Sequence, residues 1–348
     1  MQYNSFANWK APENWHHILT LEMHTGGEPL RIITAGFPEL CGKTILEKRQ
    51  YCLKNYDSLR KAIIFEPRGH ADMYAALITE PERETSHFGV LFLHNEGYST
   101  MCGHAIIALS KAAVEAGIFD VIEGENELRI DSPAGLITSY IQVKNNEVVN
   151  IRFNNVPSFL ALIQQQVVVA DLGEITFDLA YGGAFYAYVD ADALGLDLSD
   201  SNSIAIINMG KRIKAAVQSQ FDMAHPFETD LSFLYGVIFI SHQQTLSADA
   251  HSRNVCIFAE GELDRSPTGT GVSGRVAIHH AKGELVTNEE VKIESILGSY
   301  FKVKVVETTK FGPYKAVIPQ VSGMAYITGK SEFYIDPEDP LKEGFIFR

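Results

Sequence analysis

Apolar and polar residues alternate over short stretches in the first half of the chain, and glycine or proline ends most of these stretches. The segment ILTLEMHTGGEPLRIITAG (18–36) predicts two strands joined by a tight turn at its paired glycines. MYAALIT (73–79) and FGVLFLH (88–94) are two further predicted strands. The charged segment over residues 44–64 predicts an amphipathic helix.

The second half of the chain shows the same mixture of short strands and one long helix. Strand patterns cover residues 159–191, 234–241 and 254–260, and SIAIINMGKRIKAAVQSQF (203–221) predicts an amphipathic helix. Strands and helices do not alternate regularly, so the pattern predicts an α+β fold and not repeated strand–helix–strand units. The length of 348 residues adds the expectation of about two domains.

Two further segments can be compared position by position. TMCGHAIIALSKAAVEAG (100–117) and SPTGTGVSGRVAIHHAKG (266–283) each begin with a hydroxyl residue suited to an N-cap, Thr100 or Ser266. Each continues as a run of small and apolar residues, which predicts a buried helix. The comparison predicts two similar halves that each contain one such helix.

Cysteine and threonine occupy matching positions in these two helix starts. Cys102 and Thr268 each lie fifteen residues before the glycine, Gly117 or Gly283, that is expected to end the helix. If the starts face each other, their free N–H groups and dipoles form a cleft suited to a carboxylate. A helix N-terminus also lowers the pKa of a thiol, which predicts that Cys102 is a reactive base. The alternative is that Cys102 fills a core and that glycines beside it only permit close helix packing.

Composition narrows the range of partners. Apolar residues make up 46 % of the chain, which is enough for sizeable cores. Asp and Glu total 43 against 29 Lys and Arg, and the net charge of −14 disfavours binding to nucleic acid or to an anionic membrane. A small molecule is therefore the expected partner.

The cysteines and the N-terminal segment indicate a cytoplasmic protein. The four cysteines form no CxxC pair, which argues against a disulfide framework and against a zinc site. MQYNSFANWKAPENWHH (1–17) lacks the basic and apolar regions of a secretory signal. No apolar run approaches the roughly 20 residues that a membrane-spanning helix needs.

Two other patterns suggest chemistry that the surrounding sequence does not support. Residues 269–274 fit the GxGxxG dinucleotide fingerprint, but the polar segment EGELDRSP before them is not the buried strand that a nucleotide-binding unit needs. His70, Asp72, His94 and His104 show no specific metal-ligand spacing, so no metal site is predicted.

The motifs of the chain resemble those of the proline racemase family from about Met23 to the C-terminus. At the two helix starts the resemblance is carried by CGH (102–104) and by DRSPTGT (264–270). It extends in the same order to the motifs MHTGGEPLRI, FEPRGHADM, HNEGYSTMCGHA, AYGGAFYA, DRSPTGTG and DPLKEGF.

The resemblance implies the fold shared with diaminopimelate epimerase, in which two similar α/β halves each wrap strands around a central helix. The active site lies between the halves, with one catalytic residue at each helix start. For this chain it implies a first half of residues 16–155 plus about 325–348 and a second half of residues 156–324. Members of the family are often dimers, which leaves a homodimer open.

Thr268 separates this chain from the racemases and hydroxyproline 2-epimerases of the family, which carry cysteine at both positions. An unactivated alcohol is a far poorer acid and base than a thiol, so proton exchange on two faces should fail. The Cys/Thr pair resembles the dehydratases of the family instead. It implies a hydro-lyase that eliminates water from trans-3-hydroxy-L-proline and gives Δ1-pyrroline-2-carboxylate. In this substrate the α-hydrogen and the hydroxyl share one ring face, so Cys102 alone can serve as base.

The resemblance also assigns roles around the catalytic positions Cys102 and Thr268. The backbone N–H groups that would hold the substrate carboxylate are those of Gly103, His104, Gly269 and Thr270. Asp264 would pair with the ring ammonium. Thr268 would orient the substrate or hydrogen-bond to the leaving group, and Cys102 or His104 would donate a proton to the departing hydroxyl. The family needs no metal and no organic cofactor.

Three other functions stay open at this point. A proline racemase or hydroxyproline 2-epimerase fits every motif except Thr268. A non-catalytic amino-acid-binding protein would keep the cleft but would gain nothing from a thiol base beside His104 and Asp264. A nicotinamide oxidoreductase rests on the glycine fingerprint alone.

Overall fold

The computed structural model describes residues 8–347, and within this range the chain forms five α-helices and eighteen strands. The helices α1 to α5 are Ile45–Ile64, Gly103–Glu115, Ala191–Leu194, Ser203–Gln220 and Gly269–Ala281. Short 3-10 turns cover Asp200–Asn202 and Thr229–Leu231. The strands β1 to β18 are His16–Thr25, Glu28–Ala35, Ala75–Thr79, Phe88–Leu93, Tyr98–Ser99, Gly124–Ser132, Gly135–Lys144, Glu147–Asn154, Phe159–Val169, Gly173–Tyr181, Phe185–Asp190, Leu234–Ser241, Ser252–Phe258, Glu262–Leu263, Val291–Glu294, Tyr300–Phe311, Tyr314–Gly323 and Ala325–Ile335.

The two predicted amphipathic helices form as α1 and α4. A capping box fixes the start of α1: the Thr44 side chain accepts the N–H of Glu47, and the Glu47 carboxylate accepts the N–H of Thr44, each at 3.1 Å. The predicted turn between β1 and β2 also forms, with both of its glycines at positive φ. These elements form where local sequence signals agree with the packing.

The N-caps predicted for the two buried helices were wrong by two residues. Cys102 caps α2 and Thr268 caps α5, in place of Thr100 and Ser266. The Thr100 hydroxyl donates to the carbonyl of Gly183 at 2.6 Å, and the Ser266 hydroxyl accepts the Thr268 N–H at 3.1 Å. Both hydroxyls therefore stabilise the loop before the helix and not its first turn.

The predicted helix ends are confirmed. Gly117 and Gly283 follow the last turns of α2 and α5 with φ of 65° and 73°. This left-handed conformation costs glycine little, and it ends a helix by turning the chain away from its axis.

Each buried helix is wrapped by strands. α2 packs against β1, β2, β7, β8 and β18, whereas α5 packs against β9, β10, β11, β16 and β17. Helix α2 is buried on nearly every side, which explains its apolar sequence without an amphipathic stripe. The predicted α+β fold of two similar halves around central helices is confirmed.

The last strands of the chain return to the first half. β18 pairs antiparallel with β1 from Ala325 opposite Thr25 to Ile335 opposite His16. β17 pairs with β16 on one side and with β8 on the other, so hydrogen bonding is continuous between the halves. The domain limits set at residues 156 and 324 stay a prediction, and Arg348 lies outside the described residues.

Over residues 8–347, none of the helices is both long enough and apolar enough to cross a membrane.

Candidate active site

The N-terminal ends of α2 and α5 meet in direct backbone contact. A Cβ added to Gly103 would lie 2.5 Å from the Cα of Gly269, and the reverse substitution meets the same obstacle. Only glycine permits this approach, which directs the free N–H groups of both first turns toward one small volume. The structure therefore contains both features that were weighed as alternatives: close helix packing and a paired N-terminal cleft.

A pocket of about 260 Å³ lies at this junction. Its lining residues are Tyr74, Met101, Cys102, Gly103, His104, Tyr186, Tyr235, Phe258, Asp264, Thr268, Gly269 and Thr270. All seven site residues predicted from the sequence are in this set.

The glycine fingerprint does not form a nucleotide-binding loop. Residues 269–274 are the first turns of α5, and the strand before them, Glu262–Leu263, has only two residues. Among residues 8–347, no group of three or more His, Cys, Asp or Glu side chains is arranged to hold a metal ion. The space between the helix starts is instead bounded by one thiol, one carboxylate and several hydroxyl groups.

Cys102 lies at the start of α2 with its side chain directed to the pocket. It is 6 % exposed, and its Sγ lies 3.1 Å from Nδ1 of His104. Burial raises the pKa of the thiol well above its usual value, and the charge of Asp264 raises it further, although a hydrogen bond from the N–H of Ala105 lowers it. The lowered pKa expected from the helix N-terminus is therefore not found for Cys102, because desolvation outweighs the helix end.

His104 is a neutral imidazole beside this thiol. Burial lowers the pKa of His104 to about 4, against which the nearby charge of Asp264 acts only in part. Its carbonyl accepts a hydrogen bond from the Thr25 hydroxyl at 2.9 Å, which ties the start of α2 to β1. The uncharged ring can accept a hydrogen bond from the Cys102 thiol or donate one to its thiolate, depending on its tautomer.

Asp264 is held in place on the opposite side by two hydrogen bonds. One oxygen accepts the N–H of Ser266 and the other accepts the Thr268 hydroxyl, each at 2.7 Å. Thr268 adopts φ 67° and ψ 99°, an unfavourable conformation for a β-branched residue. Surrounding contacts hold Thr268 in this strained conformation, and the conformation directs its hydroxyl toward the Asp264 carboxylate.

Two further carboxyl groups are completely buried behind the pocket. Glu28 accepts the N–H of Arg265 and Glu262 accepts the N–H of Asn95, each at 2.7 Å. Burial raises the pKa of both carboxyl groups well above the usual value. The Arg265 guanidinium donates to Asp72 at 2.8 Å. The sequence pattern predicted only a structural turn before Glu28. It did not predict the buried carboxyl groups and the Arg265–Asp72 ion pair around the Asp264 segment.

The pocket tyrosines were also missed from the sequence. Tyr74, Tyr186 and Tyr235 are each buried, and the Tyr186 hydroxyl lies 2.7 Å from the Thr270 hydroxyl. A tyrosine within a strand of small apolar residues is a signal that could have found them, because a buried phenol needs a hydrogen-bond partner.

Known proteins resemble this chain over nearly its whole length. A family profile described as proline racemase matches residues 20–346. The chain is 54 % identical over 346 residues to a trans-3-hydroxy-L-proline dehydratase of Colwellia psychrerythraea, which covers 99 % of this chain and 97 % of the relative. It is 42 % identical over 336 residues to the trans-3-hydroxy-L-proline dehydratase of Homo sapiens, with 95 % of each chain covered.

A solved structure shares the same architecture. A hydroxyproline epimerase from Agrobacterium vitis with bound trans-4-hydroxy-L-proline superposes with a TM-score of 0.89 at 28 % identity and covers 95 % of this chain and 96 % of its own. A phenazine biosynthesis protein of the PhzF family from Bacillus anthracis, at 11 % identity and a TM-score of 0.56 over 91 % of this chain and 99 % of its own, shares the fold alone.

Proposed function

The chain belongs to the proline racemase family, and within it we propose a trans-3-hydroxy-L-proline dehydratase that uses Cys102 as its base. The observation that carries this proposal is the single thiol in the pocket: Cys102 begins one helix, and Thr268 begins the other. Relatives with this activity in their names, at 42 % to 54 % identity over nearly the whole chain, confirm the dehydratase reaction predicted from the sequence.

The substrate is an amino acid with one carboxylate and one ring ammonium. The carboxylate binds the backbone N–H groups of Gly103, His104, Gly269 and Thr270, where two helix dipoles favour an anion. The ammonium pairs with Asp264, whose two hydrogen bonds hold the carboxylate in place before binding. Negative charge that develops on the substrate carboxylate during proton removal is stabilised by the same N–H groups.

Binding of the substrate also activates the thiol. Burial and the negative charge of Asp264 raise the pKa of Cys102. A ring ammonium that pairs with Asp264 offsets this charge and therefore lowers the thiol pKa. The thiol proton leaves to solvent, and the neutral His104 ring, with Nδ1 3.1 Å from Sγ, hydrogen-bonds to the thiolate. Cys102 then removes the α-proton of the substrate as a thiolate.

Thr268 favours elimination of water over racemisation. Its hydroxyl donates to Asp264 at 2.7 Å, so that proton is committed to a carboxylate and not to Cα. With no thiol on the opposite face, the carbanion cannot be reprotonated there, and the 3-hydroxyl on the Cys102 face leaves instead. This distinction favours the dehydratase over a racemase or epimerase, and the buried thiol favours an enzyme over a binding protein.

The remaining expectations follow from this chemistry. Proton removal and water loss are acid–base steps that protein side chains and helix N–H groups can supply, so we expect the reaction to run without a metal or an organic cofactor. All four cysteines are free thiols, which fits a reducing cytoplasm. A homodimer stays a prediction.

Incubation with trans-3-hydroxy-L-proline tests the proposal. The cyclic imine product is detected with o-aminobenzaldehyde, and L-proline and trans-4-hydroxy-L-proline serve as comparison substrates. Cys102→Ser should lower the rate about 10²- to 10⁴-fold, the usual contribution of a general base. Cys41→Ser removes an exposed thiol outside the pocket and serves as the matched control.

Three results would contradict the proposal. Racemisation of L-proline by the unaltered protein without imine formation would identify a racemase. Binding of the amino acids without turnover would identify a binding protein. Imine formation that survives in Cys102→Ser would leave the reaction intact but exclude Cys102 as the base.

A further inference from the structure

Hydroxyl groups cluster beside the Cys102 thiol in a part of the pocket that the mechanism above does not use. The hydroxyls of Tyr74, which precedes β3, and Tyr235, on β12, lie 3.5 Å apart. Tyr74 lines the same pocket as Cys102, whose Sγ lies 3.1 Å from Nδ1 of His104. Tyr74 and Tyr235 are 2 % and 4 % exposed, so protein groups surround this cluster.

The Tyr74 ring is fixed against both histidines of the region. It contacts the His104 ring edge-on with centroids 4.9 Å apart and stacks on His94 at 5.9 Å. Burial raises the pKa of Tyr74 well above its usual value, so the side chain stays a phenol and a hydrogen-bond donor. A fixed, protonated phenol beside the base has the properties of a general acid.

We propose that Tyr74 is the catalytic residue that protonates the departing 3-hydroxyl of the substrate. This inference rests on the proposed dehydratase function and adds the acid that such a reaction needs. The α-hydrogen and the 3-hydroxyl lie on adjacent carbons of one ring face. Cys102 and Tyr74, which line the same pocket, can therefore act on these two adjacent positions.

The proton transfers balance within the pocket. The Cys102 thiolate takes the α-proton. The electron pair of the broken C2–H bond forms the C2=C3 bond, and the C3–O bond breaks. The leaving oxygen takes the Tyr74 proton and departs as water. The resulting phenolate takes the new proton of the Cys102 thiol, which is the stronger acid, and this returns the thiolate and the phenol.

Other groups near the substrate are less suited to this step. The Thr268 hydroxyl donates to Asp264, and the Tyr186 hydroxyl pairs with Thr270 at the start of the opposite helix. His104 has its pKa lowered to about 4, so at neutral pH it has no second proton to give. Tyr74 combines a hydroxyl that can donate with a position against the His104 ring that contacts Cys102.

A change of leaving group tests the assignment. Tyr74→Phe removes the hydroxyl and keeps the ring, and both trans-3-hydroxy-L-proline and trans-3-fluoro-L-proline yield the same cyclic imine. Loss of a general acid should slow water elimination by about 10²- to 10³-fold. Fluoride is a far weaker base than hydroxide and leaves without full protonation, so its elimination should fall by less than about fivefold. The ratio of the two rates is the readout.

Two further variants make the result decisive. Tyr235→Phe removes the hydroxyl partner of Tyr74 and should lower water elimination more than fluoride elimination, even if Tyr74→Phe fails to fold. Tyr186→Phe removes a pocket hydroxyl on the other side and should affect both substrates equally. Equal losses with both substrates in the Tyr74 and Tyr235 variants would overturn the assignment. Failure of the proposed function itself would appear separately, as no imine from either substrate with the unaltered protein.

Discussion

Opposing influences act on the Cys102 thiol. A helix N-terminus stabilises a nearby anion by about 0.3–1 kcal/mol, and by up to about 2 kcal/mol in favourable geometry. Full burial can shift a pKa by about 3–5 units, each worth about 1.4 kcal/mol, so desolvation prevails. The raised pKa of Cys102 is the net result. The positively charged ammonium of a bound substrate lowers the pKa of the Cys102 thiol again, so the thiol is activated only while substrate is bound.

The pH dependence of Cys102 alkylation tests this environment. Since the folded-state pKa of the thiol is raised, the thiolate fraction stays small near neutral pH, and the rate with iodoacetamide should keep rising above pH of about 9. Site-resolved mass spectrometry follows Cys102, with the exposed Cys41 as reference for the reagent. Pyrrole-2-carboxylate, a planar mimic of the deprotonated ring, should protect Cys102 at every pH. A rate that levels off below neutral pH, or an absence of protection, would contradict this account of the site.

At the scale of elements, the contact between α2 and α5 determines the geometry of the pocket. Their first residues are glycines because a Cβ on either would overlap the backbone of the other. The carboxylate site therefore depends on two helices that lie far apart in sequence and come from different halves of the fold.

Gly103→Ala should separate the two helix starts. Overpacking at a buried contact typically costs about 1–3 kcal/mol of unfolding free energy. A displacement of about 1 Å in a catalytic site can lower the rate 10²-fold, and we expect at least this loss in kcat/KM. Gly329→Ala on β18 is the matched control, because an added Cβ there has no neighbour within 4 Å. Thermal unfolding and the imine assay measure both quantities. Equal behaviour of the two variants would show that the helix contact is not required.

At the scale of the whole molecule, the last strand of the fold pairs with the first. β18 covers the edge of β1, and Phe333 on β18 lies under the Arg31 guanidinium at 4.2 Å. Asp72 from the first half pairs with Arg265 from the second beside the pocket. Strand pairing between β1 and β18 and an ion pair between the halves thus link parts of the chain that are distant in sequence.

Removal of residues 325–348 should prevent cooperative folding, because β1 would lose its antiparallel partner and expose apolar surface. Removal of residues 346–348 leaves β18 intact and serves as the control. Far-UV circular dichroism and thermal melts distinguish the two outcomes. An unchanged melting temperature after the longer truncation would show that the first half folds without its returning strand.

The sequence by itself determined the α+β class, the two helix ends, the family and the single thiol opposite a threonine. These features are local: glycine at a helix end, alternation along a strand and motif spelling at Cys102 and Thr268 are encoded within a few neighbouring residues. Tertiary structure alone decided that the two glycines touch, that Tyr74 and Cys102 line one pocket, and that the thiol pKa is raised. These properties depend on desolvation and on contacts between residues that are distant in the chain, and no local pattern encodes either one.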